Sequence, residues 1–358
     1  MKAVRFHQHG GPEALGYEDA PVPSPGPGEV LVRVKACALN HLDIWVRQGI
    51  PALQVPLPHI GGCDVAGLVE EVNDTSSGLK PGDRVFVAPG LSCWRCEFCL
   101  SGRDNLCVSY RILGAQVDGG MAEFVNVPAI NVMPIPGALS FEQAAAFPLT
   151  AVTAWHMLFG LARLQPAEDV LILGAGSGVG SMAVQMARAA GARVLTTVGS
   201  EDKVEKARAL GAEVVMYHAR DDIAERVLRA TDGRGVDVVI EHIGPATWEQ
   251  SLKSLAKGGR LITCGATSGP EVKVDLRVLY MRQTTVIGSI MGTRDELLAA
   301  AKWMGEGRIK AVIDSVLPLK EARAAHERML DRKLFGKIVL TPDPTSSFPA
   351  PCAPVHRG

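Results

Sequence analysis

The chain has 358 residues, of which 47% are hydrophobic, and its 37 basic and 38 acidic residues leave a formal net charge of −1. This length predicts about two domains with large apolar cores, and the balanced charge argues against binding to nucleic acid or to a membrane surface. The first residues lack the apolar segment of a secretory signal, so the eight cysteines predict thiols or a bound metal in a reducing cytoplasm.

Residues 1–130 have the pattern of a β-rich domain. Glu29–Ala36 alternates between apolar and polar residues, and Val65–Val72 and Asp83–Val87 predict two further strands. Because the strands are short and separated by frequent turn signals, we expect a partly closed barrel.

Four cysteines within this region carry the sharpest motif of the chain, with the spacing C-x2-C-x2-C-x7-C. They are Cys93, Cys96, Cys99 and Cys107. Four thiolates so close together predict a closed structural zinc site, which we place in a lobe at about residues 91–109. The alternative is an iron–sulfur cluster. The bacterial ferredoxin motif, however, has three residues before its last cysteine and a proline after it, whereas here seven residues intervene and Val108 follows.

Gln143–Ala162 carries no Asp, Glu, Lys or Arg, so it has to be considered as a membrane span. It contains several polar residues and Pro148, and an apolar run and a glycine-rich turn follow it within Asp169–Lys203. We therefore interpret it as a buried helix that is broken near Pro148.

Asp169–Lys203 has the pattern of a dinucleotide-binding βαβ unit. Val170–Leu173 predicts a buried strand, Val179–Ala189 a helix and Val194–Val198 a second strand. The glycines of the first turn are Gly174, Gly176, Gly178 and Gly180. Such a turn lets the backbone approach a pyrophosphate at the start of a helix, and the expected contacts are Gly176, Ser177, Gly178 and Val179. The spacing is unusual, because the third glycine of G-x-G-x-x-G would fall on Val179 or on Ser181.

The end of the second strand bears on the choice of cofactor. It lacks the carboxylate that usually accepts from the ribose of NAD, and Glu201 lies slightly later, where an acid is common at a helix start. Ser200 and Lys203 are suited to hold a 2′-phosphate, and Tyr217 to cover the adenine. The pattern favours NADPH, although NADH stays possible.

The nucleotide-binding domain continues to about residue 302. The predicted strands are Glu213–Met216, Val236–Ile240, Arg260–Thr263 and Thr285–Ile290, and the predicted helices are Lys203–Ala209 and Asp221–Ala230. The loops that follow two of these strands contain Ile243, Gly265 and Ala266, at the carboxyl edge where open α/β sheets bind ligands.

The last part of the chain is expected to return to the first domain. Asp295–Gly305 predicts a helix, and Val316–Leu319 and Lys337–Leu340 predict strands. The domains are therefore 1–130 with 303–341, and 131–302. Residues 342–358 are proline-rich without periodicity, which predicts a disordered tail.

The order of these features resembles the medium-chain dehydrogenase/reductase superfamily, in particular zinc-type alcohol dehydrogenases and quinone oxidoreductases. The matching stretches are Ala36–Asp43, Pro58–Val69, Lys80–Val85, the four cysteines, the glycine turn and Phe335–Leu340. The resemblance implies an α/β protein with a GroES-like β-rich catalytic domain and a Rossmann doubly wound parallel sheet. It also implies that Thr153 and Ser289 contact the nicotinamide, and that the chain forms a homodimer or homotetramer through the region of Thr285–Ile290.

The chain differs from this family at the positions of the catalytic zinc ligands. Zinc-dependent members have a cysteine where this chain has Asn40, a His-Glu pair where it has Cys63-Asp64, and a further cysteine near Leu149. We expect a structural zinc ion and no catalytic one. The alternative is an unusual catalytic zinc site on Cys63 and Asp64, completed by His41 or Cys37.

Without a Lewis acid, a substrate oxygen has to be polarised by hydrogen bonds. Asn40 and Asp43 match the region that borders the nicotinamide ribose and the substrate in the family, and His41 is a candidate proton donor. Hydride transfer to an enone or quinone needs less proton transfer than alcohol oxidation. We therefore expect an NADPH-dependent reductase of a carbonyl, enone or quinone, with a non-enzymatic nucleotide-binding protein as the remote alternative.

Overall fold

The structure is a computed structural model that describes residues 1–50 and 53–343. The strands are β1 (Lys2–Phe6), β2 (Gly16–Asp19), β3 (Glu29–Ala38), β4 (His59–Ile60), β5 (Asp64–Asn73), β6 (Arg84–Val87), β7 (Gly90–Leu91), β8 (Arg111–Ile112), β9 (Phe124–Pro128), β10 (Val132–Pro134), β11 (Asp169–Ile172), β12 (Arg193–Val198), β13 (Val214–Tyr217), β14 (Val236–Glu241), β15 (Leu255–Thr263), β16 (Thr285–Gly288), β17 (Ile313–Pro318) and β18 (Lys337–Thr341). The helices are α1 (His41–Gln48), α2 (Glu97–Leu100), α3 (Phe141–Ala145), α4 (Pro148–Trp155), α5 (Gly178–Ala189), α6 (Val204–Ala209), α7 (Ile223–Ala230), α8 (Pro245–Ser254), α9 (Leu276–Arg282), α10 (Arg294–Gly305) and α11 (Ala322–Leu330). Among the described residues, no helix is both long enough and apolar enough to cross a bilayer.

The first large sheet joins the two ends of the chain. Its strand order is β10-β6-β5-β3-β18-β17, and β9 also pairs with β3. The C-terminal strand β18 runs antiparallel to β3, with Val339 opposite Ala38 and Leu340 opposite Cys37. Because of this pairing, Lys337 at the start of β18 lies beside the residues that follow β3.

The second large sheet has the order β13-β12-β11-β14-β15-β16, and each of its strand pairs is parallel. Its central strands are buried on both faces, as the apolar runs predicted, and the order reverses between β11 and β14. This doubly wound sheet, next to the β-rich domain, confirms the predicted α/β fold. Ligands of such sheets bind at the carboxyl ends of the strands beside the reversal.

The stretch without charged side chains connects the two sheets and is buried, as predicted. It forms α3 and α4, with the break directly before Pro148, and continues into a π-helix at His156–Leu161. Phe147 and Ala151 are fully buried in the main core, where helices α4, α5 and α10 pack together.

Several predicted boundaries are wrong by one to three residues, as is usual for helix and strand ends. Lys203 lies in a 3₁₀ turn before α6, and Tyr217 is the last residue of β13 rather than the first residue after it. Leu319 belongs to a 3₁₀ turn that follows β17. The prediction of a disordered tail falls largely on residues 344–358, outside the described residues.

Candidate active site

The glycine turn joins β11 to α5, and its geometry explains the unusual spacing. A Cβ on Gly180 would lie 2.2 Å from the carbonyl oxygen of Gly174, so the close contact between helix and strand requires glycine at 180. Ser177 is the N-cap, and its hydroxyl accepts from the Gly180 N–H at 2.8 Å. The remaining N–H groups at the start of this twelve-residue helix are suited to bind a pyrophosphate.

The segment before β18 closes the turn from the side of the other domain. The Gly336 N–H donates to the Gly176 carbonyl at 2.9 Å, and a Cβ on Gly176 would lie 3.2 Å from the Phe335 ring. A Cβ on Gly178 would lie 2.7 Å from Thr150. These contacts leave little room for a side chain at 176 or 178, so the close packing of the turn favours glycine at both positions.

The side chains expected to hold the adenosine end lie at the ends of β12 and β13. Lys203 is buried, and its Nζ donates to the Arg332 carbonyl at 2.9 Å, so it is tied to the other domain and is not the exposed cation that its sequence position suggested. Ser200 is the N-cap of the 3₁₀ turn that contains Lys203, and Tyr217 on β13 pairs with Val198 at the end of β12. His218 is a neighbour that the sequence did not single out, and its ring lies 3.5 Å from the place of a Cβ on Gly199.

The residues expected at the nicotinamide end lie on three elements. The Thr153 hydroxyl on α4 donates to the Leu149 carbonyl at 2.7 Å. After β16, the Ser289 N–H donates to the Thr263 carbonyl at 2.8 Å, whereas the buried Ser289 hydroxyl has no hydrogen-bond partner among the described residues. An unpartnered buried hydroxyl at this edge of the sheet fits a polar ligand group.

Ile243, Gly265 and Ala266 also lie at this edge, in the loops after β14 and β15. A Cβ on Gly265 would lie 2.8 Å from the His242 carbonyl, so the two loops pack closely. The His242 imidazole Nε2 is 2.7 Å from the Leu173 carbonyl and 3.5 Å from the Ser177 hydroxyl. His242 was missed because a histidine after a strand carries no motif of its own.

A buried polar network lies between the two sheets. Lys337 Nζ is 2.5 Å from Asn40 Oδ1 and 3.0 Å from Asp64 Oδ2, and Asn40 Nδ2 is 2.8 Å from the same Asp64 oxygen. Asp64 is fully buried and Lys337 is 5% exposed. The Asn40 amide is therefore held by protein groups on both sides.

The other groups at the suspected metal position are also engaged. The second Asp64 oxygen accepts from the Leu149 N–H at 2.8 Å, and Cys63 Sγ is 3.2 Å from Asn40 Nδ2. Burial raises the pKa of the Cys63 and Cys37 thiols well above the ordinary value. Both thiols therefore carry their protons as long as no metal ion binds them.

Asp43 holds the backbone of Asn40, which is a member of this network. Its carboxylate accepts from the Asn40 N–H at 2.7 Å and from the Gly62 N–H at 2.9 Å. Burial raises the pKa of Asp43 to about 6, although these two hydrogen bonds lower it. The carboxylate fixes the start of α1 against the Gly62 loop, so both its oxygens are committed within the protein.

His41 stands at the edge of the site toward the nucleotide turn. Its ring packs edge-on against Trp45 with centroids 4.9 Å apart. Burial lowers the pKa of His41, and the positive charges of Arg332 and His242 lower it further. His41 is therefore mainly neutral at pH 7, and it lies close enough to Arg332 and His242 to be affected by their charges.

The four cysteines form a separate cluster, in which all sulfur atoms lie within 4.8 Å of one another. Within the described residues, no other group of three or more His, Cys, Asp or Glu side chains is placed to hold a metal ion. Burial raises the pKa of Cys99 to about 12, and a zinc ion on the cluster would remove this proton, because a thiol that coordinates a metal is deprotonated. The donor set and the geometry fit a structural zinc ion.

Comparison with known proteins gives the family. The model described as "Alcohol dehydrogenase GroES-like domain" matches residues 26–137, and the one described as "Zinc-binding dehydrogenase" matches residues 178–306. An "Alcohol dehydrogenase" of Geobacillus stearothermophilus is 35% identical over 96% of this chain and 100% of its own length. A "Quinone oxidoreductase" of Rattus norvegicus is 33% identical over 95% of this chain and 97% of its own.

A solved structure described as "NAD-dependent alcohol dehydrogenase" is 45% identical and superposes with a TM-score of 0.92, covering 95% of this chain and 99% of the other. The chain belongs to the medium-chain dehydrogenase/reductase superfamily. It is an NAD(P)-dependent oxidoreductase of that superfamily, as the resemblance predicted.

Proposed function

We propose that the protein reduces carbonyl, enone or quinone substrates with NADPH at a metal-free polar site, and that it carries one structural zinc ion in the four-cysteine lobe. The buried ion pair of Lys337 and Asp64, with 3.0 Å between Nζ and Oδ2, carries this proposal. A divalent ion on this carboxylate would have to displace the ammonium group. The neighbouring donors are the Asn40 amide, which is a weak zinc ligand, and the single Cys63 thiol, so the position lacks the three protein ligands of a catalytic zinc site.

A site without a Lewis acid favours reduction of conjugated acceptors. Alcohol oxidation removes a hydroxyl proton, which a metal ion assists, whereas an enone or quinone accepts a hydride without that step. The nicotinamide, when bound, supplies the hydride, and Thr153 and Ser289 are the groups we propose to orient it. Reduction also consumes one proton, and His41 is the group at the cleft that we propose to relay it from solvent.

The cofactor preference follows from the charges near the end of β12. The last residues of the strand carry no acid, and Lys203 and Arg332 bring two cationic side chains close to His218, whose pKa burial and these two charges lower. A 2′-phosphate is bound well by such a group, whereas an unphosphorylated ribose usually needs a carboxylate. We propose NADPH as the preferred cofactor and note that the solved relative is described as NAD-dependent.

Steady-state assays on the purified protein test this proposal. The panel combines NADPH or NADH with cyclic enones, quinones and aldehydes, and the oxidised cofactors with primary and secondary alcohols. We expect turnover of an enone or quinone with NADPH that survives brief treatment with a chelator. Alcohol oxidation that the chelator abolishes, while the lobe metal stays bound, would contradict the metal-free site.

The alcohol dehydrogenase relatives favour a second candidate, a zinc-dependent alcohol dehydrogenase whose unusual catalytic zinc uses Cys63 and Asp64. This candidate predicts two zinc ions per chain and loss of alcohol oxidation in Cys63→Ala. The leading proposal instead predicts that Cys63→Ala keeps its NADPH-dependent reductase activity.

We further propose a homodimer that forms along β16. This strand is the edge of the parallel sheet, and Val286 on it is exposed beside Leu276, Tyr280 and Met281 of α9, of which each is at least 66% exposed. An apolar patch on an open edge strand is a surface suited to pairing with a second copy. Sedimentation velocity on the wild type and on Val286→Glu tests this, and we expect the variant to be the smaller species.

A further inference from the structure

The four-cysteine lobe contacts the nucleotide-binding domain through the residues between its third and fourth cysteines. Asn105 Nδ2 donates to the Ile290 carbonyl at 3.1 Å. Asp104 accepts from the Arg294 N–H at the start of α10, at 3.2 Å to each oxygen. Both side chains are buried, and of their partners Ile290 lies within the short connection from β16 to α10, whereas Arg294 directly follows it. We call Ser289–Thr293 the β16–α10 link.

The link is also packed tightly on its other side. A Cβ on Gly292 would lie 2.7 Å from the Val152 carbonyl of α4 and 2.9 Å from His156 Cβ. His156 in turn is 2.8 Å from Glu296 on α10, and its Nε2 is 3.4 Å from Asn105 Nδ2. The link therefore has little freedom as long as Asn105 keeps its place.

Ser289 and Ile290 are neighbours in the chain, so the hydrogen bond from Asn105 to Ile290 also bears on the position of Ser289. The buried Ser289 hydroxyl has no partner within residues 1–50 and 53–343, whereas Ile290 is fixed through its carbonyl by Asn105. Since Asn105 lies between Cys99 and Cys107, a metal ion on the four thiols would fix the Asn105 backbone.

We propose that Asn105 is a positioning residue, which holds the β16–α10 link through Ile290 and thereby aims the Ser289 hydroxyl at the nicotinamide carboxamide. The metal lobe then contributes to cofactor binding in addition to stabilising a loop. The inference rests on the proposed function in one respect, which is that the nicotinamide lies at Ser289.

Calorimetric titration with two ligands tests this role. One ligand is NADPH, and the other is 2′-phospho-ADP-ribose, which lacks the nicotinamide but keeps both phosphate sites. Loss of one buried hydrogen bond in Asn105→Ala should weaken NADPH binding by about five- to tenfold. Binding of the fragment should stay unchanged. Asn73→Ala is the control, because Asn73 also donates to a backbone carbonyl, that of Pro25 at 2.9 Å, and makes no hydrogen bond to the link.

A double-mutant cycle with Ser289→Ala sharpens the test. Ser289→Ala should also weaken NADPH and spare the fragment, and the double variant should lose less than the sum of the two single losses. Zinc content and melting temperature check that each protein is folded, and Asn105→Ser serves if Asn105→Ala does not fold.

Equal weakening of NADPH and of the fragment would overturn the proposal, because it would indicate a general loosening between the domains. Unchanged NADPH binding in a folded variant would overturn it as well. If the wild type prefers NADH, the same titrations use NADH and ADP-ribose. Failure of the wild type to bind either cofactor would instead count against the proposed function.

Discussion

The buried pair of Lys337 and Asp64 makes a strong prediction about stability. Lys337→Met removes the ammonium group and keeps most of the side-chain volume. Asp64, which is 0% exposed, then keeps only the Asn40 and Leu149 N–H groups as partners. Breaking a buried ion pair by removing one partner costs about 3–5 kcal/mol, because the other charge stays buried and unpaired. We expect a loss of this size in the free energy of unfolding.

Urea unfolding at pH 7, followed by circular dichroism, measures this loss as a shift in the transition midpoint. Lys337→Arg is the matched control that keeps the charge. The double variant Lys337→Met with Asp64→Asn should recover most of the lost stability, because no unpaired charge stays in the core. A single variant within about 1 kcal/mol of the wild type, or a double variant no more stable than the single one, would refute the ion-pair reasoning.

Three further changes test other parts of the structure. Burial raises the pKa of Asp43 from its ordinary 3.8 to about 6 in the folded protein, so folding takes up a proton between pH 4 and 6. The contribution of this carboxyl group to the free energy of unfolding therefore falls as the pH rises through that range. Asp43→Asn should remove this component, at most roughly 1.4 kcal/mol per pH unit, from the pH dependence of the melting curves, and an unchanged profile would contradict the assignment. Gly180→Ala should lower the free energy of unfolding by about 1–3 kcal/mol and weaken cofactor binding, because its Cβ would meet the Gly174 carbonyl at 2.2 Å. Gly16→Ala is the control, since its nearest contact is at 3.7 Å, and it should be tolerated in the same melting assay. Arg332→Ala should raise the KM for NADPH about tenfold and leave that for NADH nearly unchanged, and equal effects on both would argue against a role at the 2′-phosphate.

The sequence predicted the features that depend on local pattern. The buried strands around the glycine turn have continuous apolar runs, and four cysteines at short spacing can only gather in one lobe. Helix α8 (Pro245–Ser254) was not predicted, although Pro245 at its first position was a usable signal.

The contacts that complete the site depend on distant parts of the chain. Lys337 and Asn40 are 297 positions apart, and Asn105 and Ile290 are 185 positions apart. A lysine at the start of an apolar strand has the sequence pattern of an ordinary strand end, and only the pairing of β18 with β3 brings it to Asp64. The contact of Asn40 with Lys337 was missed for the same reason, because this partner could not be seen locally.

The zinc content per chain tests the central claim most directly. Elemental analysis of the wild type and of Cys93→Ser, purified in parallel, should give one zinc ion per chain in the wild type and none in the variant. Two zinc ions in the wild type, one of which survives in Cys93→Ser, would contradict the account. The Lys337–Asp64 pair would then have to open to admit a catalytic metal.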